Sequence, residues 1–491
     1  RRYLTSYKIR SLHVFWHNDT TIIIRDENPE RKGMGAKQRI YTAGVLYYTV
    51  LKLRTDFRKE RQEDVMERND PRYQAYVEIL KEELIPAMGC TEPIALAYAA
   101  AKAREVLGVL PDSVQLQVSG SIIKNVKSVI VPNTGHLKGM EAAVAAGIIA
   151  GSAEKELEVI SEVSEEKKSA IRDYLQTVPI TIEHTEQGHV FDIVVTERCG
   201  QDYARVRIAD YHTNICRIEK NGTVLYEVPL LDETVQEDAR ADRSLLNMQD
   251  IWDFAETADL RDVADLLERQ IRYNNAIAEE GLLGDYGANI GRVLLTTYGN
   301  DVSNRAKAKA AAGSDARMNG CELPVIINSG SGNQGITCSV PLIEYAKELH
   351  SGKEKLYRAL IISNLVAIHE KTGIGTLSAY CGAVSAGAGA GAGIVYLCGD
   401  GYQAAIHTVV NALAIVSGIV CDGAKASCAA KIASSVDAAL LGYNMYKCNQ
   451  EFKGGDGIVM KDIETTIKGI GRLGKDGMRQ TNEEIIRLMM S

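Results

Sequence analysis

The sequence predicts an α+β fold: an N-terminal α+β domain with a small sheet, then a mostly α-helical C-terminal domain. Three observations predict it. Polar and apolar residues alternate over Ser113–Val118, which is the period of a strand. Further strand candidates follow at Ile180–Thr185, Val190–Thr196 and Tyr203–Ile208, with Cys216–Ile218 as a fourth. After Asp232 strands nearly vanish and long helical periods take over.

The first 65 residues differ from the rest. They hold 14 Lys+Arg and 8 Asp+Glu, a net of +6 against −8 for the whole chain, so the remainder carries −14. No regular hydrophobic period runs through Arg1–Arg39. The expectation is that Met66 is the true start and that residues 1–65 are a leader or a disordered extension. An ordered, lineage-specific arm is the alternative. Residues 66–108 then read as a helical segment. Tyr76, Ile79, Leu80 and Leu84 give a helix over Tyr73–Ile85 that stops at Pro86. In Gly89-Cys90-Thr91-Glu92-Pro93, Thr91 suits an N-cap and Pro93 a first turn, opening a small-residue helix over Ala95–Leu107.

Residues 109–230 form the expected α+β domain. The strands above are separated by turns at Gln187-Gly188 and Cys199-Gly200, and Glu141–Gly151 is a tightly packing helix. Residues 231–491 form the helical domain, with helices over Met248–Leu267, Arg269–Glu280, Tyr357–Glu370, Tyr402–Val420 and Ser427–Tyr443. Glycine-rich breaks fall at 329–335 and 382–393. The run Ser385–Gly393 alternates alanine and glycine too regularly for a flexible linker. Small residues let helices approach closely, so it belongs in the core; a mobile loop is the alternative.

Composition narrows the function. A chain of 491 residues needs more than one core. With 45% hydrophobic and 24% charged residues it is an ordinary globular sequence and not a disordered one. A net charge of −8 argues against nucleic acid as a partner. The longest apolar stretch, Ala404–Val420, contains His407 and Asn411 and is short for a bilayer span, so no membrane partner is expected. Ten cysteines without a secretory signal point to free or metal-bound thiols in a reducing, cytoplasmic compartment.

Three of those cysteines carry the chemistry. Cys381, Cys421 and Cys428 are separated by 40 and 7 positions, and two of them precede glycine or Asp-Gly at element ends. Three thiolates can anchor an iron–sulfur cluster that keeps one iron open, and an open iron is a Lewis acid. Buried structural thiols fit the spacing equally well, and zinc fits it less well. Cys90 lies at a helix start, where exposed N–H groups and the dipole lower a thiol pKa; this makes it a candidate base or nucleophile, with a packed thiol as the alternative. Asn328-Ser329-Gly330-Ser331-Gly332-Asn333-Gln334-Gly335 can present an anion nest through its N–H groups, or it is simply a tight turn. It is not a P-loop, because Gly-Lys-Ser/Thr is absent. Lys124, in Ser121-Ile122-Ile123-Lys124-Asn125, can pair with a substrate carboxylate or be a solvated charge. In Asp210-Tyr211-His212-Thr213-Asn214, His212 reads as a hydrogen-bonded structural histidine, with a proton carrier as the alternative, and His369-Glu370-Lys371 reads as a polar helix end.

Taken together, these motifs resemble the serine dehydratase alpha-chain family, and most closely its L-cysteine desulfidase branch. The resemblance covers about residues 66–491. It rests on Gly89–Pro93, on Ser121–Asn125 with Val131-Pro132, on Asn328–Gly335, on Leu377–Gly382, and on Cys421–Lys425 with Cys428. The resemblance implies a 4Fe–4S lyase without pyridoxal phosphate, oxygen-sensitive and acting on a small amino acid. It maps the cluster ligands onto Cys381, Cys421 and Cys428 and the reactive cysteine onto Cys90. It leaves Ser329, Ser331, Asn333, Gln334 and Lys124 as the substrate carboxylate's expected surroundings. The short Cys421–Cys428 spacing favours the desulfidase branch; the iron–sulfur serine dehydratases separate these two cysteines further, with prolines nearby. The expected reaction is α,β-elimination of L-cysteine to sulfide, ammonia and pyruvate. L-Serine dehydration by the same cluster is the first alternative and a non-catalytic iron–sulfur or redox-sensing protein the second. Homo-oligomerisation is left open.

Overall fold

The computed structural model describes residues 6–9, 12–16, 21–26 and 39–42, and residues 66–490 apart from 186–188, 231–239 and 376. The turn expected at Gln187-Gly188 lies outside the described residues. Two compact units divide at Val65/Met66. In the first, the strands Ser6–Ile9, Leu12–Trp16, Thr21–Asp26 and Arg39–Thr42 pair antiparallel in chain order.

The second unit begins with the helix Pro71–Glu83. It starts two residues before the sequence pattern does, because Asp70 accepts a hydrogen bond from the Arg72 N–H at 2.8 Å and Pro71 suits the first turn. The helix Thr91–Leu107 is capped by Cys90 and not by Thr91. Thr91 instead turns its hydroxyl to the Gly330 carbonyl at 3.0 Å.

A six-stranded mixed sheet follows. Its order is Thr223–Glu227, Ile215–Lys220, Asp202–Ala209, Asp192–Cys199, Ser113–Ser119, Ile180–Thr185. Only the last pair is parallel. Every strand predicted from alternation is present. Thr223–Glu227, with all five residues exposed, is an edge strand that no buried face signals in the sequence. The helix Thr91–Leu107 covers the sheet and packs on Gly139–Ala150.

A short pairing determines where the site lies. Pro86–Met88 runs antiparallel to Pro324–Ile326, and the Ile327 N–H donates to the Ile85 carbonyl at 3.0 Å. This ladder joins the segment just before Cys90 to the segment just before the Ser329 loop, although more than 200 positions separate them.

The remaining chain is helical. The alanine–glycine run forms the helix Gly382–Cys398, with all of Ala383–Val395 buried. It touches Gly332–Glu348, Lys353–Ile374, Tyr402–Val416 and Ser427–Lys447. Its glycines are close approaches: a Cβ on Gly389 would stand 2.4 Å from the Ser363 carbonyl oxygen, and one on Gly391 would stand 2.8 Å from Ala439 Cβ. Because backbone cannot yield as a flexible side chain does, Gly389→Val is expected to destabilise the protein by about 3 kcal/mol, the upper end of what overpacking costs. Urea unfolding of the variant measures it, and a loss under about 1 kcal/mol would contradict the packing. The apolar stretch after Ala404 is a core helix, and no helix among the described residues is long and apolar enough to cross a membrane.

Candidate active site

Two backbone bonds bring the first two cysteines of the triad together. The Cys381 N–H donates to the Ile419 carbonyl at 3.1 Å, and the Cys421 N–H donates to the Ala379 carbonyl at 2.6 Å. They flank an antiparallel bridge between Tyr380 and Val420. Cys381 then caps the helix Gly382–Cys398, while Cys428 sits in the first turn of Ser427–Lys447. The Asp422-Gly423 turn returns the chain between them. Gly423 has φ +94°, and a Cβ on it would lie 2.1 Å from the Lys124 carbonyl, so only glycine fits. Asp422 is fixed by Lys425 at 2.7 Å and by Lys431.

All three cysteines line one cavity of about 600 Å³. Their thiols sense one another. Burial first, then Cys421 and Cys428, push the Cys381 pKa up to about 12. Burial also raises Cys428, with Cys421 adding to it. Such a group of thiols ionises readily only when a cation joins it. Among the described residues no three His, Cys, Asp or Glu side chains stand close enough to share one metal ion. Three thiols lining one cavity are the donor type that an iron–sulfur cluster takes, each thiolate on a different iron.

Cys90 faces the same cavity, 3% exposed, in a small apolar cluster with Val129 and Met318 against which Cys428 and Ala424 pack. The thiol pKa is raised, not lowered as its place at a helix start predicts. Burial and the Glu92 carboxylate hold the thiol well above its ordinary value, and Arg317 only partly offsets them. The helix terminus is present, but desolvation and a like charge outweigh it. Cys90 Sγ donates to Glu92 Oε2 at 3.1 Å. Asn125 Nδ2 donates to Glu92 Oε1 at 3.0 Å and Thr91 Oγ1 to Oε2 at 3.2 Å.

Ser329, Ser331, Asn333 and Gln334 all line the cavity. Asn333 Oδ1 and Gln334 Oε1 are buried without partners. Lys124 is placed differently. It is 1% exposed and absent from the cavity lining, and its Nζ donates to the Leu377 carbonyl at 3.2 Å and to Asn482 Oδ1 at 2.6 Å. A buried ammonium with those acceptors is a wall support, not a free point charge.

Among the lining residues that sequence reasoning did not select are Glu92, Arg317, Lys371 and His212. Glu92 lay inside a motif that was read for its cysteine and for the helix start that Thr91 and Pro93 make. Arg317 ends an alanine-rich helix, Val302–Met318, that carries no chemical signature. Lys371, read as part of a polar helix end, reaches the cavity with a pKa lowered to about 8 by enclosure, against the upward pull of Cys421 and Cys381. His212 is not the hydrogen-bonded structural histidine expected. Its ring packs on Phe191 at 4.8 Å, its Nε2 has no partner, and burial lowers its pKa.

The family described as serine dehydratase alpha chain matches residues 154–487. A UPF0597 protein of Desulfitobacterium hafniense is 61% identical over 426 residues, 87% of this chain and 99% of that protein. UPF0597 proteins of Lachnoclostridium phytofermentans and Treponema denticola are 52% and 47% identical, over 85% of this chain and 100% and 98% of their own lengths.

Proposed function

The chain belongs to the serine dehydratase alpha-chain family, and from that premise we propose an iron–sulfur-dependent lyase that eliminates sulfide from L-cysteine, leaving ammonia and pyruvate. One observation carries the proposal: Cys381, Cys421 and Cys428 line the cavity that also holds the Cys90–Glu92 pair. The three thiolates would hold a 4Fe–4S cluster, which when bound supplies a Lewis-acidic iron able to stabilise the leaving sulfur.

The chain's own residues handle the proton. Cys90 is held as a thiol, so Glu92 Oε2 first accepts its proton across the 3.1 Å hydrogen bond. Cys90 Sγ then takes the proton from the substrate Cα. The released electron pair forms the Cα–Cβ double bond, the Cβ–S bond breaks, and its pair leaves with sulfur. The aminoacrylate tautomerises to the imine, which water hydrolyses to pyruvate and ammonia. Asn125 and Thr91 fix the Glu92 carboxylate through this exchange.

L-Serine is the second reading, favoured by the description of the matched family. The two separate in one experiment on anaerobically prepared protein. Sulfide and pyruvate in equal amounts from L-cysteine, at a higher kcat/KM than pyruvate from L-serine, is the expected result. The reverse order assigns the protein to serine, and no product from either refutes a lyase.

A further inference from the structure

Arg317 is 3% exposed, yet it lines the cavity. Its Nε has no hydrogen-bond partner, and no described Asp or Glu forms an ion pair with it. A buried guanidinium with no direct ion-pair partner, the Glu92 carboxylate of the same cavity being held by Cys90 and Asn125, is costly and suits a site where a ligand supplies the pair. The fold makes room for it: a Cβ on Gly332 would stand 2.3 Å from Arg317 Nε. Gly332 opens the helix Gly332–Glu348, whose N-cap Ser331 makes no side-chain cap bond. The first-turn N–H groups of that helix are therefore left for an anion beside the guanidinium. The next two residues carry the opposite polarity, since Asn333 Oδ1 and Gln334 Oε1 are buried acceptors without partners.

We infer that Arg317 and the first turn of Gly332–Glu348 grip the substrate's α-carboxylate, while the side-chain carbonyls of Asn333 and Gln334 accept from its α-ammonium. The inference rests on the amino-acid lyase reading and deepens it. It moves the carboxylate partner from Lys124 to Arg317. It also defines the substrate class: an α-amino acid with both ends free, and not an amine or a carboxyl-blocked peptide. Ser329 and Ser331 then line the approach to that grip.

The test pairs binding with turnover. L-Alanine, which has no leaving group, and ethylamine, which has no carboxylate, are titrated calorimetrically into wild type, Arg317→Lys and Arg317→Gln. Arg317→Gln is expected to weaken L-alanine binding by about 100-fold and to leave ethylamine unchanged. Arg317→Lys, which keeps the charge and loses the fork, is expected to weaken L-alanine by about tenfold and decides the matter if the glutamine variant does not fold. In turnover, KM for L-cysteine rises in parallel while kcat falls by less than about tenfold. An L-alanine affinity that stays within about threefold of wild type in both variants, or no L-alanine binding to wild type, overturns the inference. The two readings fail separately. Arginine-dependent L-alanine binding without any product sinks the lyase and leaves the carboxylate site standing. An active enzyme indifferent to Arg317 does the opposite.

Discussion

Cys421→Ala is expected to yield a folded protein with no cluster and no turnover. The backbone frame around Cys421 does not depend on its sulfur: the bond from its N–H to the Ala379 carbonyl and the Tyr380–Val420 bridge are main-chain features. The alanine variant should keep its helical circular dichroism. Two thiolates cannot hold a cubane in place of three, so iron per chain should fall to near zero after anaerobic reconstitution. Without the Lewis acid the sulfur leaves unaided, and several kcal/mol of transition-state stabilisation is lost, at least about 1,000-fold in rate. The same outcome is expected for Cys381 and Cys428. A Cys421→Ala protein that retains both iron and activity would remove the basis for the proposed chemistry.

Cys90→Ala is expected to separate cluster from catalysis. Cys90 packs beside Cys428 but hydrogen-bonds to Glu92, so its loss should leave the iron content unchanged. Removing the group proposed to take the Cα proton should lower kcat by about 100- to 10,000-fold. Iron content and kcat measured on one preparation decide it. Loss of iron in Cys90→Ala would make Cys90 a ligand and return the base to Glu92 or another group.

The fold was legible where burial has a simple period. Alternation over Ser113–Val118 marked the correct element, because a half-buried strand leaves a strong local signature; the alanine–glycine run was rightly placed in the core, but the break expected at 382–393 is the helix Gly382–Cys398. The edge strand Thr223–Glu227 has no buried face to write such a pattern. The cysteine triad and the Ser329 loop were legible through composition. Their meeting with Cys90 was not, because it depends on the three-residue ladder between Pro86–Met88 and Pro324–Ile326, too short to carry a period. Arg317 and Lys371 were hidden for a related reason. A charged residue on a helix reads as solvated surface until tertiary packing encloses it. Lys124 was the converse case: its charge was visible, but its hydrogen bonds to Leu377 and Asn482 were not.

The central claim is tested most directly by purifying the wild-type chain without oxygen and counting iron and acid-labile sulfide per polypeptide. About four of each is the predicted result, on a brown protein whose chromophore bleaches in air. Colourless protein with neither iron nor sulfide, or with zinc alone after anaerobic reconstitution, would contradict it.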